Sequence, residues 1–171
     1  VFERRGERLA TKEGFGRDAW KDYAELGWLA MPLAPDDGGF DSAPEAICAL
    51  MEYVGQLLAL EPVFASVVLA GRLLRLAGND AARGALQSLS EGKTILAFAH
   101  AEDAGDGMAG EVQAVIANGR IVGRKQVVLN GDAADLLVAS ARRGDGSLGL
   151  YLVDARQPGV QRAGFRQVDG R

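Results

Sequence analysis

Up to about residue 92, apolar positions recur at helical spacing and the breaks between them carry helix start and stop chemistry. Asp18 is placed to cap a helix that presents Trp20, Tyr23 and Ala24 on one face. It stops at Gly27, a residue suited to the left-handed position that follows a helix. After a turn through Pro32, Pro35 and Gly38-Gly39, Ser42 and Glu45 have capping-box spacing. Behind them Ile47, Leu50, Met51, Val54, Leu57 and Leu58 keep the repeat of a buried stripe. Pro62 opens a helix that is apolar almost all round, through Phe64, Val67, Val68, Leu69, Leu73, Leu74 and Leu76 to Gly78, which predicts a central position. Asn79 starts the last helix, which carries Leu86 and Leu89 and stops at Gly92.

After Thr94 the period shifts toward two, glycine becomes frequent and β-branched residues replace alanine-rich stretches. The run Ile95 to His100 reads as a strand. Residues 112–117 and 120–122 flank Asn118-Gly119, a pair that tolerates the positive φ angles of a two-residue hairpin turn. Further strands are predicted over 127–129, 136–139, 148–153 and 160–162, with a turn at Gly144-Asp145-Gly146-Ser147. Helices first and strands second predict an α+β multidomain chain, with a helical domain over 1–93 and an antiparallel sheet domain over 94–171.

Composition narrows the function. The chain has 171 residues, 48% hydrophobic and 25% charged, enough for a sizeable core. A net charge of −4 without a cluster of Lys and Arg argues against nucleic acid as a partner. One cysteine, Cys48, forms no internal disulfide, and with one histidine, His100, soft ligands are too few for zinc. A reducing, cytoplasmic setting without a metal is expected. The longest uncharged apolar run, 63–71, is less than half of the roughly 20 residues that span a bilayer, so no membrane partner is expected. The first residues carry charges but no apolar signal segment, and residues 168–171 follow directly on strand-like sequence. Both ends read as cuts in a longer polypeptide.

Gly105-Asp106-Gly107-Met108-Ala109-Gly110 matches G-x-G-x-x-G, but the short distance to the Asn118-Gly119 turn leaves no room for a crossover helix, so it reads as a loop. Gly92-Lys93-Thr94 closes a helix instead of opening one and reads as a C-terminal glycine beside a solvated lysine. His100 is the one candidate base, with Ser66, Ser88, Ser90 and Asp103 as conceivable partners, yet a pocket-lining or structural role fits its apolar run better. Cys48 is expected to be buried as a small hydrophobe, and Glu52 and Glu61 to be solvated or capping. Arg72 and Arg75 are expected on a solvated edge.

Trp20 to Met31 followed by Pro35-Asp36-Asp37-Gly38-Gly39-Phe40, then Glu52-Tyr53-Val54-Gly55 and Leu89-Ser90-Glu91-Gly92, form an ordered series. Glu102, Gly123-Arg124-Lys125, Asn130, Ala134-Asp135, Leu150 to Asp154 and Pro158-Gly159-Val160 continue it. In this order, over essentially the whole chain, the segments resemble the acyl-CoA dehydrogenase family. The resemblance implies a helical amino-terminal domain packed on an antiparallel β-barrel, here incomplete, with the family's carboxyl-terminal helical domain absent from this chain. It implies FAD-dependent α,β-dehydrogenation of an acyl-CoA in fatty-acid and lipid degradation. Hydride passes to flavin N5 and the α proton to a Glu outside this sequence, so no catalytic residue is assigned here. Electron-transfer flavoprotein as acceptor and a homo- or hetero-oligomer are implied as well. The acyl tail is expected against the helices that follow Ser42 and Pro62.

Carried over position by position, the resemblance implies flavin contacts at Phe98, His100, Ala101, Val127, Leu129 and Asn130, and a thioester or CoA entrance at Gly105, Asp106 and Gly107. The departures are specific. Ala101 and Asp103 stand where the family has the Thr and Pro of T-E-P, so only the backbone of Ala101 remains to bond the flavin. Val127 and Leu129 replace an aromatic residue and a Thr, while Glu102 and Asn130 are kept. The stretch 97–102 with 127–129 is similar to the small subunit of pimeloyl-CoA dehydrogenases, which act as pairs of unlike chains. The alternative implied by the same departures is a non-catalytic subunit that supports a partner's flavin site.

Overall fold

The computed structural model describes residues 5–102 and 112–165. Helices α1 (Arg5–Leu9), α2 (Arg17–Glu25) and α3 (Pro44–Gln56) precede a π-helix, Val63–Gly71, which runs into α4 (Arg72–Ala77) and is followed by α5 (Asp80–Ser90). α2 buries Ala19 and Trp20 and is ended by Gly27 at φ 77°. Its N-cap is Gly16, so Asp18 lies in the first turn, where its charge complements the helix dipole, and is not the cap the sequence predicts. The Ser42–Glu45 box is not formed either. Pro44, with its preset φ, takes the first helical position, and the Ser42 N–H donates to Met31 O at 2.8 Å. α3 buries Leu50 and Val54 but ends at Gln56, which leaves Leu57 and Leu58 exposed.

The all-apolar helix is central, as predicted, but it is a π-helix over its first nine residues. Gly71 lies five residues after Ser66, the π spacing, and a Cβ there would sit 3.1 Å from the Ser66 carbonyl oxygen. A glycine therefore lets the wide turn close. α5 follows expectation. The Asn79 side chain accepts the Ala82 N–H at 2.9 Å, and Gly92 at φ 68° ends the helix beside an exposed Lys93–Glu91 pair. No helix of the described residues is long and apolar enough to cross a membrane.

The sheet contains β1 (Leu96–Ala99), β2 (Val115–Ala117), β3 (Arg120–Val122), β4 (Leu136–Arg142) and β5 (Leu148–Asp154). Asn118 and Gly119, both at positive φ, make the β2–β3 hairpin, and β5 returns antiparallel along the whole of β4. The antiparallel barrel expected from the sequence is not what forms. Among the described residues the sheet is mixed and open, because β1 and β2 both run parallel to β4. Turn residues report only hairpin neighbours, whereas β1 meets β4 through a distant contact: the Asp135 carboxylate accepts the Ile95 N–H at 2.9 Å. Residues 127–129 and 160–162 are not strands.

One buried cluster joins helices to sheet, with Trp20, Leu29, Val67, Leu86 and Leu89 against Ile95, Leu96 and Val138. Arg17 also crosses between them, bonded to Glu13 at 2.9 Å and Asp135 at 3.1 Å. Its guanidinium is held more firmly protonated by Glu13 first, against burial, and then by Asp135. Two expectations reverse. Cys48 is exposed, because the apolar stripe of α3 turns its other face inward. Glu61 is 4% exposed and paired with Arg8 at 3.3 Å and the Tyr23 hydroxyl at 3.2 Å, so it is neither solvated nor a cap. Burial, then the Glu61 charge, pushes the Tyr23 phenol up to about 12.

Candidate functional site

Strand alternation places Phe98 and His100 on one face, and their rings stack at 5.2 Å and 10°. Ala101 continues that chain, and its carbonyl accepts the Gln126 N–H at 2.8 Å, which draws the 126–130 segment against the end of β1. That segment is a set of turns. Val127 at φ 51° and Asn130 at φ 55° occupy left-handed backbone, an outlier for a β-branched residue, where the sequence predicts a strand. Ala65 and Leu69 of the π-helix form the third wall. Together Ala65, Leu69, Phe98, His100, Ala101, Val127 and Leu129 line a shallow, open hollow of about 200 Å³.

Five of the six predicted flavin contacts thus face one hollow. Asn130 lies just beyond it, its carbonyl accepting the Ala133 N–H at 3.2 Å. Gly105, Asp106, Gly107 and Asp103 lie outside the described residues. None of the conceived serine partners reaches His100: Ser66 bonds Leu96, Ser90 bonds Gln87 O, and Ser88 contributes a carbonyl to Lys93 and Thr94. Arg75 is tied to Pro32 O at 2.7 Å and to Asp41, while Arg72 is exposed, which fits a polar edge.

The partner of His100 is Ser140, whose Oγ lies 2.9 Å from Nδ1 and which is fully buried on β4. Lys125 Nζ donates to Ser140 Oγ at 2.9 Å, to His100 O at 3.1 Å and to Glu102 Oε1 at 2.6 Å. Glu102 also accepts the N–H groups of Gln113 at 2.8 Å and Ala114 at 3.1 Å. Burial pushes the Glu102 carboxyl up, but Lys125 and the two backbone donors outweigh it and hold the group below its ordinary range. A carboxylate saturated in this way is a poor proton acceptor, so Glu102 braces the site instead of serving as its base. Sequence reasoning did not find Ser140. It stands 40 residues from His100, and no local spacing marks it.

A hollow of about 200 Å³ falls below the about 300–1,000 Å³ of complete small-molecule pockets, so it is an open wall and not an enclosing pocket. Val127 at 63% and Leu129 at 38% exposure present apolar surface toward it. A flat, mainly apolar ring with polar edge atoms fits such a wall, so the residues present suit the ring of a flavin.

No family model and no curated protein matches the chain. Solved structures do. A variant of the steroid ACAD Tcur3481-Tcur3483 matches with TM-score 0.81 and 29% identity over 93% of this chain and 44% of that one. The ChsE4-ChsE5 complex from Mycobacterium tuberculosis matches with TM-score 0.79 and 27% identity over 93% and 43%. The fold is that of an acyl-CoA dehydrogenase. An acyl-CoA dehydrogenase from Bacillus anthracis complexed with FAD shares the fold at TM-score 0.82 and 18% identity, over 98% of this chain and 30% of that one. The chain spans less than half the length of these acyl-CoA dehydrogenases.

Proposed function

We propose that this chain is the amino-terminal and middle part, 1–93 and 94–171, of an FAD-dependent acyl-CoA dehydrogenase. The observation that carries the reading is the hollow itself, where Phe98, His100, Ala101, Val127 and Leu129, distant in sequence, meet the apolar π-helix. FAD bound there would supply a hydride acceptor for the β carbon of an acyl-CoA thioester. Phe98, Val127 and Leu129 would exclude water from the ring, and His100 with the Ala101 backbone would hold its edge. The thioester entrance is assigned to Gly105, Asp106 and Gly107 on the family resemblance alone, and Ala65 and Leu69 would border the acyl tail. The base that takes the α proton is a Glu outside this sequence. The protein works as a cytoplasmic oligomer, in keeping with neighbours that are two-component complexes, and passes electrons to electron-transfer flavoprotein.

The test is the visible absorption spectrum of the purified full-length protein, taken anaerobically before and after addition of a panel of acyl-CoAs. Flavin bands that bleach with one thioester are expected and identify its acyl class. A protein that stays colourless after reconstitution with FAD would sink the proposal.

A further inference from the structure

An ammonium group donates and never accepts, so the bond from Lys125 Nζ to Ser140 Oγ has one possible direction. All three Lys125 protons are committed, to His100 O, Glu102 Oε1 and Ser140 Oγ. Ser140 is fully buried, and its other partner among the described residues is His100 Nδ1 at 2.9 Å. Its hydroxyl proton therefore points at Nδ1. The opposite arrangement, in which an Nδ1–H donates to Oγ, leaves the buried serine proton with no acceptor among the described residues. When Nδ1 accepts, the neutral ring carries its proton on Nε2. The ring plane is fixed as well, by the stack on Phe98 at 5.2 Å. Nε2 lies across the ring from Ser140, has no partner among the described residues, and belongs to a side chain that lines the hollow.

We infer that Lys125 and Ser140 are positioning residues that lock His100 in the Nε2–H tautomer. The ring thereby becomes a single fixed donor for an acceptor atom, nitrogen or carbonyl oxygen, of the flavin. This inference rests on the reading of the hollow as a flavin wall. It gives the wall a polar contact where Ala101 and Leu129 offer none from their side chains.

His100 is the sole histidine of the sequence, so nitrogen-15 NMR of the untagged protein gives one pair of ring signals. At a pH where the ring is neutral, Nε2 is expected at the shift of a protonated nitrogen and Nδ1 at that of an unprotonated one. A proton on Nδ1 would overturn the assignment with no variant needed. Ser140→Ala is expected to move the two signals toward each other as the tautomers mix; an unchanged pair would show that Ser140 does not set the tautomer. Titration with FAD is expected to shift the Nε2–H proton downfield. A signal that stays put while the flavin bands show FAD bound overturns the donor role and leaves the flavin reading standing. Failure to bind FAD at all overturns that reading and the donor's target together, and the spectrum of the free protein still decides the tautomer.

Discussion

Replacing Ser66 by alanine removes a fastener between the π-helix and β1. Ser66 Oγ donates to Leu96 O at 2.6 Å and accepts the Leu96 N–H at 3.1 Å, with both residues fully buried. In a parallel ladder alternate residues address alternate edges, and on β1 it is the Ile95 carbonyl that accepts from Leu136 on β4. Leu96 therefore faces away from β4, and a single serine stands in for the missing neighbour strand. Ser66→Ala leaves one buried N–H and one buried C=O unpaired, each at about 1–3 kcal/mol, partly offset because the serine hydroxyl no longer needs desolvating. A net loss of about 2–4 kcal/mol follows. At about 2–4 °C per kcal/mol for a chain of this length, the melting temperature should fall by ~4–16 °C. Circular dichroism of thermal and urea unfolding measures it, with Ser90→Ala as the comparison, since Ser90 Oγ makes an exposed bond to Gln87 O and should change stability by less than ~0.5 kcal/mol. A Ser66→Ala protein that melts with Ser90→Ala would refute the argument.

Three further outcomes are expected. Because the folded Tyr23 phenol is raised to about 12 from 10.0, by burial and then Glu61, the folded state keeps a proton the unfolded state releases. Stability should fall as pH rises from about 10 to about 12, and Tyr23→Phe should flatten that fall in pH-dependent urea unfolding. Gly39→Ala places a Cβ 2.2 Å from Leu33 O, so about 1–3 kcal/mol should be lost; a wild-type melt would mean that the loop yields freely. Leu129→Glu puts a charge on the apolar wall and should weaken FAD retention ~10-fold or more, which corresponds to about 1.4 kcal/mol. Leu129 is 38% exposed, so the melting temperature should hold, and undiminished retention would remove Leu129 from the site.

What the sequence made legible was local. Gly27, Gly78 and Gly92 end helices where their chemistry requires, Asn79 caps α5, and Asn118-Gly119 turns a hairpin. The misplaced caps at Asp18 and Ser42 are also local: each lost to a neighbour, Gly16 or Pro44, that took the boundary position. What stayed hidden depends on tertiary contact. The parallel partner of β1 is chosen by Asp135 and Arg17, the π-helix by close approach at Gly71, and the strand predicted at 127–129 is undone by left-handed Val127. At the hollow, the ordered family-like segments named Phe98, His100, Ala101, Val127 and Leu129, but not Ala65 and Leu69 of the π-helix. They did not name Ser140, because a buried serine on a strand reads as filler until its hydrogen bonds are seen.

The parallel pairing of β1 with β4 also imposes a schedule on synthesis. Ile95 meets Asp135 across 40 residues, so on a ribosome adding about 5–20 residues per second β1 waits ~2–8 s for the strand that completes it. Its opposite edge need not wait. The serine of the π-helix has already emerged 30 residues earlier and can hold Leu96 as soon as it appears. Leu96 on that edge can thus be held before β4 exists, and the interval in which β1 can recruit a wrong partner weighs most on the side that β4 will fill.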